Sequence, residues 1–338
     1  MMNKQIIIAT DAWEPQLNGV ARTLKQTALC LSQMGHTVQV IQPGLFRSVP
    51  CPFSSDVRLA YGIKSKYLAD LIQRPCAVHI STEGPIGLAV RRHCVKNKIP
   101  FTTAYHTKFP EYMKKYAHVP LWMTRSYLRL FHGPSEAIMA TTPSLMSSVK
   151  GIKIKSDVKL WTRGVDFGLF HPRPKTIAMD KPVGIYVGRI SKEKSIEDFL
   201  SLDLDIEKIV VGDGPILNDL KRKYPQAIFT GPLRGEALAQ MYCNADVFVF
   251  PSKTDTFGLV VLESIACGVP VACYPVEGPG EIIGDGQNPG VGKASWDLKE
   301  AVEHCLKIKS VQACLTFAKK HSWEACTDQF FNNLIFAD

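Results

Sequence analysis

Two carboxylates flank a predicted helix start in the second half of the chain. Asp255 lies between the apolar run at 247–250 and a helix that the pattern starts at about Gly258, and Glu263 lies one to two turns inside that helix. The first turn of a helix carries free N–H groups and the positive end of the helix dipole, which suits a diphosphate. Asp255 would then accept hydrogen bonds from sugar hydroxyls, and Glu263 from a ribose diol. The spacing alone leaves open that Asp255 only caps the helix and that Glu263 is a solvated helix residue.

Two cations follow another strand-to-helix turn, in the segment YVGRISKEK. Gly188 lets the backbone approach a ligand, and Arg189 and Lys194 supply positive charge. Fixed cations stabilise a departing pyrophosphate, whose negative charge develops in the transition state. Taken alone, Lys194 is better explained as an ordinary solvated side chain. A further glycine turn at 210–215 is weak evidence for a ligand, because its glycines can serve the turn alone.

A glycine turn and a histidine are the candidates in the first half. Gly19 stands where the first predicted strand joins the first helix, a position from which a helix start can meet a diphosphate. His106 follows the strand FTTA and therefore lies at its carboxyl end. A lone histidine is usually a satisfied structural residue, which is the alternative for His106.

A basic and aromatic segment, residues 109–133, has the composition of a surface that meets a membrane or an acceptor. Its candidate residues are Lys114, Lys115, Trp122, Arg125 and Arg129. If 121–132 is a helix, the last three of these share one face. A basic, aromatic face binds anionic lipid, and each cation near such a surface contributes about 1 kcal/mol. The alternative is that the aromatic residues are core and the cations merely solvated.

Short apolar runs alternate with helical periodicity along the chain, which places these candidates at strand ends. In the first half the runs predict strands at 5–10, 37–41, 56–60, 76–80, 101–104, 137–141 and 157–161. In the second half they predict strands near 183–187, 207–211, 226–229, 247–250 and 270–273, with helices at about 194–202, 214–223, 235–243 and 258–267. Two successive βα series predict an α/β protein with two Rossmann-like parallel-sheet lobes facing a central cleft. Ligands of such sheets bind at the carboxyl ends of the strands.

The segment Phe170–Pro174 is the expected linker, because two prolines within three residues resist helix or central strand. We therefore predict an N-terminal lobe at 1–169 that takes the acceptor and a C-terminal lobe at 170–320 that takes the donor. From Trp296 onward the pattern is nearly all helical, and a last helix within 321–338 is expected to pack back toward the N-terminal lobe.

Charge is divided unequally between the halves. Residues 1–165 hold 22 Lys and Arg against 8 Asp and Glu, a net charge of +14, whereas residues 166–338 hold 18 against 23, a net charge of −5. The basic half should steer the protein toward an anionic surface or polymer.

The composition excludes several classes of protein. With 46% hydrophobic and 21% charged residues, the 338-residue chain has no disorder signature. No apolar run approaches the roughly 18–20 residues that span a bilayer, and the run at 6–9 is too short for a signal peptide, so we expect a cytosolic protein. The ten cysteines form no CxxC pair, which suits reduced core cysteines. Because no cluster has metal-ligand spacing, we expect no metal.

Taken together, these segments resemble the retaining glycosyltransferases of family 4, which have the GT-B fold. The matching pieces are PQLNGVART (15–23), TEGPIGLA (82–89), YHTKFPEY (105–112), RGVDFGLFHP (163–172), YVGRISKEK (186–194), VVGDGP (210–215) and KTDTFGLVVLESIACGVPVACYPV (253–276). They run in the family's order and cover nearly the whole chain. Within the family, the chain is similar to bacterial enzymes that glycosylate diacylglycerol-type lipids and to GDP-mannose-dependent α-mannosyltransferases.

The resemblance implies a role for each candidate. Arg189 and Lys194 match the family's diphosphate-binding pair, and Asp255 and Glu263 match its acidic pair, on the donor sugar and the ribose. His106 matches a histidine close to the reacting sugar. The remaining donor-binding positions that the resemblance implies are Gly19, Gly188, Leu233, Phe257, Gly258 and Leu259.

Two positions depart from the family's pattern. Asp255 stands where the family commonly has Glu, one methylene longer, which puts the donor-sugar preference in doubt. Ser195 stands where many members have Gly, which we expect to affect only the turn.

The resemblance also implies the reaction. A hexose passes from a nucleotide-diphosphate sugar, with a UDP-hexose favoured over GDP-mannose, to an acceptor hydroxyl with retention of configuration. The acceptor hydroxyl attacks from the front face, assisted by the leaving phosphate, and the expected catalytic residues are His106, Arg189, Lys194 and Asp255. No cofactor or metal is expected. The expected acceptor is a membrane glycolipid or diacylglycerol-type lipid, reached from a peripheral position on the inner face of the cell membrane.

Three alternatives stay open. The acceptor can instead be a soluble sugar, a polyol or a growing polysaccharide. A GT-B epimerase or phosphorylase is disfavoured by the order of the matched residues and by the absence of a pyridoxal-lysine context. A nucleic-acid binder is suggested only by the basic half; the chain has no recognisable reader module, so we expect no nucleic-acid partner. The sequence does not predict an oligomeric state.

Overall fold

The computed structural model divides the chain into two compact units. Unit 1 consists of Met1–Thr162 together with Trp323–Asp338, and unit 2 is Arg163–Ser322. The structure describes residues 3–16, 18–51, 54–73, 75–106, 110, 113, 118–255, 257–284, 288, 290–308 and 311–337, with the backbone alone at 51 and 54–57. The chain thus passes into unit 2 after Thr162 and leaves it after Ser322, whereas the sequence placed these boundaries at 169/170 and 320/321.

Residues before the expected linker already belong to unit 2. Val165 is 3% exposed and joins the core of unit 2, and its N–H donates to the carbonyl of His321. Phe170, the first residue of the expected linker, is 1% exposed and packs edge-on against the Tyr242 ring at 6.0 Å. The two prolines do lie in irregular backbone, but burial of Val165 and Phe170 moves the boundary toward the N-terminus.

The strands follow the predicted apolar runs closely. In unit 1 they are β1 (Gln5–Ala9), β2 (Thr37–Ile41), β3 (Arg47–Cys51), β4 (Ser54–Tyr61), β5 (Cys76–Ile80), β6 (Phe101–Tyr105), β7 (Ala137–Ala140) and β8 (Asp157–Leu160). In unit 2 they are β9 (Val183–Val187), β10 (Glu207–Val211), β11 (Ile228–Gly231), β12 (Val247–Phe250), β13 (Val271–Cys273) and β14 (Gly292–Ala294), and β15 (Phe336–Ala337) belongs to unit 1.

Helices alternate with the strands in both units. In unit 1 they are α1 (Gly19–Gln33), α2 (Ser65–Leu71), α3 (Pro85–Asn97), α4 (Leu121–His132) and α5 (Pro143–Gly151). In unit 2 they are α6 (Ile196–Leu200), α7 (Leu217–Lys223), α8 (Gly235–Cys243), α9 (Leu259–Ala266), α10 (Pro279–Ile283), α11 (Leu298–Leu306) and α12 (Val311–Lys319), and α13 (Trp323–Asn333) belongs to unit 1.

The main sheet of unit 1 is parallel, in the order β2-β1-β5-β6-β7-β8, with β15 added antiparallel to β5. Its central strands are buried on both faces, which explains the unbroken apolar run IIIA at 6–9, each residue of which is 0% exposed. Residues expected at the carboxyl ends of β1, β5 and β6 therefore lie along one edge of this sheet.

The predicted strand at 56–60 does not join that parallel sheet, and this expectation was wrong. It lies within β4, which pairs antiparallel with β3 in a separate two-stranded hairpin. The sequence hid β3 because RSVPC has a single large aliphatic residue and contains Pro50, which normally argues against a strand. An antiparallel partner only a few residues away was therefore not expected.

Unit 2 contains one parallel six-stranded sheet in the order β11-β10-β9-β12-β13-β14. All five strands predicted for this half are confirmed within a few residues. The sixth, β14, was missed because its sequence GKA has none of the residues that favour strands. Since the strands are parallel, the turns after β9, β10, β11 and β12 all lie at one edge.

The tail after Trp296 is helical as expected, through α11, α12 and α13, except for β15 at its end. Helix α13 packs within unit 1: the Gln329 side-chain oxygen accepts from the Thr162 N–H at 3.0 Å. The Phe330 ring lies 4.7 Å from Trp161 and 4.8 Å from His79, between centroids.

Candidate functional site

The turn after β9 packs against the glycine turn after β10. The Gly188 N–H donates to Val211 O at 3.0 Å, and the Ile190 N–H donates to Asp213 O at 2.8 Å. A Cβ on Gly212 would overlap the Gly188 carbonyl oxygen, and one on Gly214 would overlap the Ile190 carbonyl oxygen. The glycines at 212 and 214 therefore permit the close approach of two turns, and they shape the segment that carries Arg189.

Tyr186 and Arg189 sit on opposite sides of this turn. The Tyr186 hydroxyl is buried and donates to the Arg189 carbonyl at 2.9 Å, which holds the turn from inside. Burial, followed by the negative charges of Asp255 and Glu193, raises the pKa of Tyr186, so its hydroxyl stays a donor. The Arg189 side chain is exposed at the carboxyl end of β9.

Lys194 and Asp255 form an ion pair that joins the two main motifs. The Lys194 ammonium lies 2.8 Å from Asp255 Oδ1 and 2.7 Å from Oδ2, across 61 positions of sequence. Each side chain is 21% exposed, so the pair is partly shielded from solvent. Lys194 is therefore not an ordinary solvated side chain. The two motifs meet because β9 and β12 are neighbours in the sheet.

Two further contacts hold the same two segments together. The Lys253 ammonium lies 2.9 Å from Asp198 Oδ2, and the Thr254 hydroxyl donates to Glu193 O at 3.4 Å. Burial alone would raise the pKa of Glu193, but hydrogen bonds from Ser191 and the backbone, together with the charges of Arg189 and Lys194, hold it below its ordinary value. The anionic Glu193 balances part of the positive charge of this turn.

The turn before Ser195 ends in strained backbone. Ser195 has φ 50° and ψ 37°, in the left-handed region where Gly is favoured. Ser195, which stands where the family usually has Gly, thus lies in the short turn between Lys194 and α6. Its backbone adopts a conformation that Gly adopts more easily.

Helix α9 begins without a side-chain cap. Its N-cap residue is Gly258, which has φ 85°, a backbone conformation that residues other than Gly rarely adopt. Asp255 is therefore not the cap of this helix. The first turn starts at Leu259, and Phe257, just before the cap, is 8% exposed. Free N–H groups and the helix dipole at this end suit an anion, as the sequence predicted.

Glu263 is buried rather than solvated. It is 2% exposed, and its Oε2 accepts a hydrogen bond from the Tyr242 hydroxyl at 3.2 Å. Tyr242 is on α8, is 0% exposed, and its ring packs edge-on against Phe170 and Phe248. A buried carboxylate is costly without such partners, so Tyr242 stabilises Glu263 in place. Nothing in the spacing of the sequence signals this pairing.

Leu233 lies in the turn between β11 and α8, half-buried against the core of unit 2. This turn, like those after β9 and β12, is at the carboxyl edge of the sheet. Unit 2 therefore gathers Gly188, Arg189, Lys194, Leu233, Asp255, Phe257, Gly258, Leu259 and Glu263 along the strand ends or the helix that follows them.

The predicted candidates of unit 1 lie at the start of a helix and at the end of a strand. Gly19 is the first residue of α1 and is exposed, but the preceding Asn18 caps this helix by accepting from the Ala21 N–H at 2.9 Å. His106 directly follows β6, is 7% exposed, and its ring lies 5.6 Å from the Trp161 ring.

Asp11, at the end of β1, is a buried carboxylate that the sequence analysis did not single out. Its side chain accepts from the Ile86 N–H at 2.9 Å and from the Thr82 hydroxyl at 2.8 Å, at the start of α3. Burial is the largest influence and raises the pKa of Asp11, although these hydrogen bonds oppose it. A Cβ on Gly84 would overlap this carboxylate. The signal in the sequence was an aspartate directly after an apolar strand.

The α4 surface is basic and apolar. Trp122 is 70% exposed and Leu130 is 59% exposed, and Arg125 and Arg129 are exposed on the same helix. The Arg129 Nε also donates to Ile152 O at 2.8 Å. Lys114 and Lys115 lie outside the described residues. Leu128 and Phe131, by contrast, are fully buried, so the helix is amphipathic.

Neither a metal-binding cluster nor a membrane-spanning helix is found in the described part of the chain. No group of three or more His, Cys, Asp or Glu side chains there could hold a metal ion. No helix there is long and apolar enough to cross a membrane. Nine cysteines in these ranges are buried free thiols.

Two family profiles match nearly the whole sequence between them. The profile described as Glycosyltransferase Family 4 matches residues 17–168, and the one described as Glycosyl transferases group 1 matches residues 170–320.

Several curated proteins are similar over most of the chain. The sulfoquinovosyl transferase SQD2 of Arabidopsis thaliana is 29% identical, over 85% of this chain and 62% of its own length. A GDP-mannose-dependent alpha-mannosyltransferase of Corynebacterium glutamicum is 28% identical, over 97% of this chain and 88% of its own. An alpha-monoglucosyldiacylglycerol synthase of Streptococcus pneumoniae is 28% identical, over 89% and 78%.

Solved structures share the fold at lower identity. Sucrose-phosphate synthase of Thermosynechococcus elongatus superposes with a TM-score of 0.76 at 17% identity, covering 98% of both chains. Anabaena HepE, solved with UDP and glucose, superposes with a TM-score of 0.66 at 16% identity, covering 98% of this chain and 99% of its own.

Proposed function

The chain belongs to the GT-B glycosyltransferases of family 4, and on that basis we propose that it moves a hexose, with retention, from a UDP-sugar to a lipid-borne hydroxyl. Both family profiles and the fold support a nucleotide-sugar glycosyltransferase. The donor base, the stereochemistry and the acceptor are the proposal.

The ion pair between Lys194 and Asp255 is the observation that carries the proposal for the donor. It brings a cation suited to a diphosphate and a carboxylate suited to sugar hydroxyls within 2.8 Å of each other, beside the uncapped start of α9. In a nucleotide sugar, the diphosphate and the sugar are the two groups joined by the bond that breaks. A donor diphosphate competes with Asp255 for Lys194 and turns the carboxylate toward the sugar.

In the proposed reaction, each candidate residue has a separate role. Arg189, Lys194 and the N–H groups at the start of α9 stabilise the charge that develops on the departing diphosphate. The acceptor oxygen attacks the anomeric carbon on the face that the leaving group vacates, and the departing phosphate oxygen takes the acceptor proton. By resemblance to the family, His106 is proposed to bind a hydroxyl of the reacting sugar, and Gly19 is proposed for the diphosphate.

The donor is proposed to be a UDP-hexose, with GDP-mannose second. The similar structure of Anabaena HepE was solved with UDP, whereas the Corynebacterium relative is named for GDP-mannose. The ribose is assigned to Glu263, and the base to the turn at Leu233. Backbone groups there can read a base without leaving a side-chain signature.

The acceptor is proposed to be a glycolipid or a diacylglycerol-type lipid at an anionic membrane surface. A Streptococcus relative is named as a synthase of monoglucosyldiacylglycerol. In unit 1 the α4 surface combines exposed Trp122 and Leu130 with two arginines, the composition that interfacial binding requires. A soluble saccharide acceptor is the second candidate.

Thermal shift and transfer assays together test this function. UDP-, GDP- and ADP-sugars at equal concentration should stabilise the protein differently, because only a bound donor adds binding free energy to the folded state. The stabilising donor, radiolabelled, should then label a lipid extract more than soluble sugars. No stabilisation by any nucleotide sugar, and no transfer to either acceptor class, would contradict the proposed function.

A further inference from the structure

Trp296 is one of the most exposed aromatic residues of the protein and lies on an aromatic neighbour. It is 65% exposed, and its ring lies 5.6 Å from the ring of Tyr274 at an interplanar angle of 30°. Tyr274 is only 7% exposed. One side of the Trp296 ring is therefore backed by a fixed ring, and much of the rest faces solvent.

The aromatic pair is attached to the loop that carries Asp255. The Tyr274 hydroxyl donates to Asp198 Oδ2 at 2.8 Å, and Lys253 bonds the same oxygen at 2.9 Å while its ammonium lies 4.6 Å from the centre of the Tyr274 ring. Lys253 precedes Asp255 by two residues, so the pair is fixed next to the donor loop. The two aromatic residues follow β13 and β14, at the carboxyl edge of the sheet.

The charges around the pair do not favour a phosphate or an anionic headgroup. Lys253 is paired with Asp198, and Lys293 lies 4.0 Å from Glu300. Asp297 caps α11, where its carboxylate accepts from the Glu300 N–H at 3.1 Å. These two cations each have a carboxylate beside them, and Asp297 adds a further negative charge. A neutral ligand is therefore favoured over an anionic one.

Polar groups border the aromatic surface. The Ser295 hydroxyl donates to Glu300 Oε2 at 2.6 Å, and the same hydroxyl oxygen accepts from the Asp297 N–H at 3.1 Å. Small-molecule sites combine aromatic surface with a few fixed polar groups, and that combination is what a sugar ring needs. The C–H face of a sugar ring would pack on the indole, and its hydroxyls would bond to Glu300 and Ser295.

The pair is also far from the edge proposed for the donor base. β11 and β14 are the two outer strands of the six-stranded sheet, five spacings of about 4.8 Å apart, or about 24 Å. A base held in the turn after β11 therefore does not reach Trp296. Asp255 follows β12, which lies between β11 and β14 in the sheet, so the pair lies on the side of the proposed donor sugar rather than on that of the base.

We propose that Trp296 and Tyr274 form a subsite for a neutral saccharide ring of a sugar-bearing acceptor. This rests on the proposed function for the chemistry at Asp255, but the binding of a saccharide at Trp296 stands on its own geometry. The enzyme would then favour acceptors that already carry a sugar, such as a glycolipid or a glycan, over a bare lipid alcohol.

Kinetics with two acceptors test the subsite. With a monoglycosyl lipid as acceptor, Trp296→Ala should raise the acceptor KM about tenfold, the scale of one lost aromatic contact. The donor KM and the activity on diacylglycerol should stay unchanged, and Trp296→Phe should retain most of the affinity. Tyr61→Ala, which removes an aromatic side chain that is 52% exposed and belongs to neither proposed site, is the matched control for the loss of an exposed ring.

Three kinetic outcomes would overturn the proposal. An equal loss with both acceptors would mean a general structural role for Trp296. A rise in the donor KM alone would assign the ring to the donor sugar, and no change in any constant would mean that Trp296 has no part in binding.

A binding measurement keeps the test independent of catalysis. The chain has five tryptophans, so the indole N–H signals in a nitrogen-15 NMR spectrum can be assigned by single substitutions. Adding methyl α-glucoside or methyl α-mannoside should shift the Trp296 signal and leave that of Trp122 in place. An unmoved Trp296 signal, or one that moves with UDP and not with the glycosides, would contradict the subsite even if the transferase activity is as proposed.

Discussion

The ammonium group of Lys194 lies 2.7 Å from a carboxylate oxygen of Asp255, although 61 positions separate the two residues in sequence. The two side chains, each 21% exposed, thus form a partly shielded ion pair. In the proposed mechanism, a diphosphate that binds Lys194 would release the Asp255 carboxylate toward the donor sugar.

Removing Lys194 should damage transfer far more than folding. For Lys194→Ala we expect kcat/KM to fall about 100- to 1000-fold, the scale of one lost group that stabilises transition-state charge. Steady-state kinetics and a thermal melt of the same preparation measure the two effects. Lys192→Ala removes an exposed lysine two positions away and should stay within about twofold of the unaltered chain. Similar losses in both variants would mean that Lys194 acts only through the general charge of the turn.

Lengthening Asp255 should change which sugar is preferred. In Asp255→Glu the carboxylate reaches one methylene further, so the hydroxyl that it meets on the sugar changes. We expect the ratio of kcat/KM values for two UDP-hexoses that differ at one hydroxyl to shift about tenfold or more, since paired hydroxyls carry most discrimination. The affinity for UDP alone should move less than about threefold. An unchanged ratio would separate Asp255 from sugar recognition.

Tyr242 should act through Glu263. Tyr242→Phe keeps the ring contacts and deletes the hydroxyl that donates to Glu263 at 3.2 Å. We expect the donor KM to rise about tenfold at unchanged kcat, because a hydrogen bond to a charged group contributes on that scale. The effect should shrink with a 2′-deoxyribose donor and should vanish in the Glu263→Gln background. An equal effect in that background would make Tyr242 a packing residue only.

The glycine turn after β10 should support the turn after β9 that carries Arg189. In Gly214→Ala the new Cβ would overlap the Ile190 carbonyl oxygen, so the two turns must move apart. We expect a lower melting temperature together with a weaker affinity for UDP. Gly151→Ala is the matched control, since a Cβ there meets nothing within 4 Å. A variant at 214 that melts and binds like the control would show that the turns do not depend on each other.

The α4 surface should bind anionic vesicles in a salt-dependent way. Sedimentation with vesicles of anionic and of neutral lipid, at low and high salt, measures the association. Arg125→Ala should weaken binding to anionic vesicles about fivefold, the effect of one cation near the surface, and Trp122→Ala should weaken it further. Arg222→Ala, at an exposed position of unit 2, serves as the control. Equal binding to neutral and anionic vesicles at low salt would contradict an electrostatic contribution of the α4 surface to membrane binding.

Most of the fold could be predicted because apolar runs mark the buried strands. The run VFVF at 247–250 and its neighbours appear in the structure within a few residues. The exceptions have physical reasons. β3 contains Pro50, β14 is the short GKA, and the burial of Val165 and Phe170 in unit 2 depends on tertiary contacts that no local pattern reports.

The sequence could predict that the candidate residues follow strands, but it could not predict their contacts. Turn glycines and charges after strands indicated Arg189, Lys194 and Asp255, but their pairing depends on β9 and β12 being neighbours, which the order of strands in sequence does not reveal. The partner of Glu263 lies 21 positions earlier, on a different helix. Trp296 carried no signal at all, because its contact with Tyr274 depends on β13 and β14 being neighbours in the sheet.

The passage of the chain out of unit 1 and back has a consequence for biosynthesis. β5 and Trp161 leave the ribosome before the 160 residues of unit 2, whereas Phe330 and β15, which pack on them, leave it after. At roughly 5–20 residues per second, the ribosome needs on the order of ten seconds or more to make the intervening stretch. During that time the nascent part of unit 1 exposes the apolar surface that Phe330 and β15 later cover. Unit 2 begins later in the chain, but it is the first unit whose whole sequence has been synthesised and can fold.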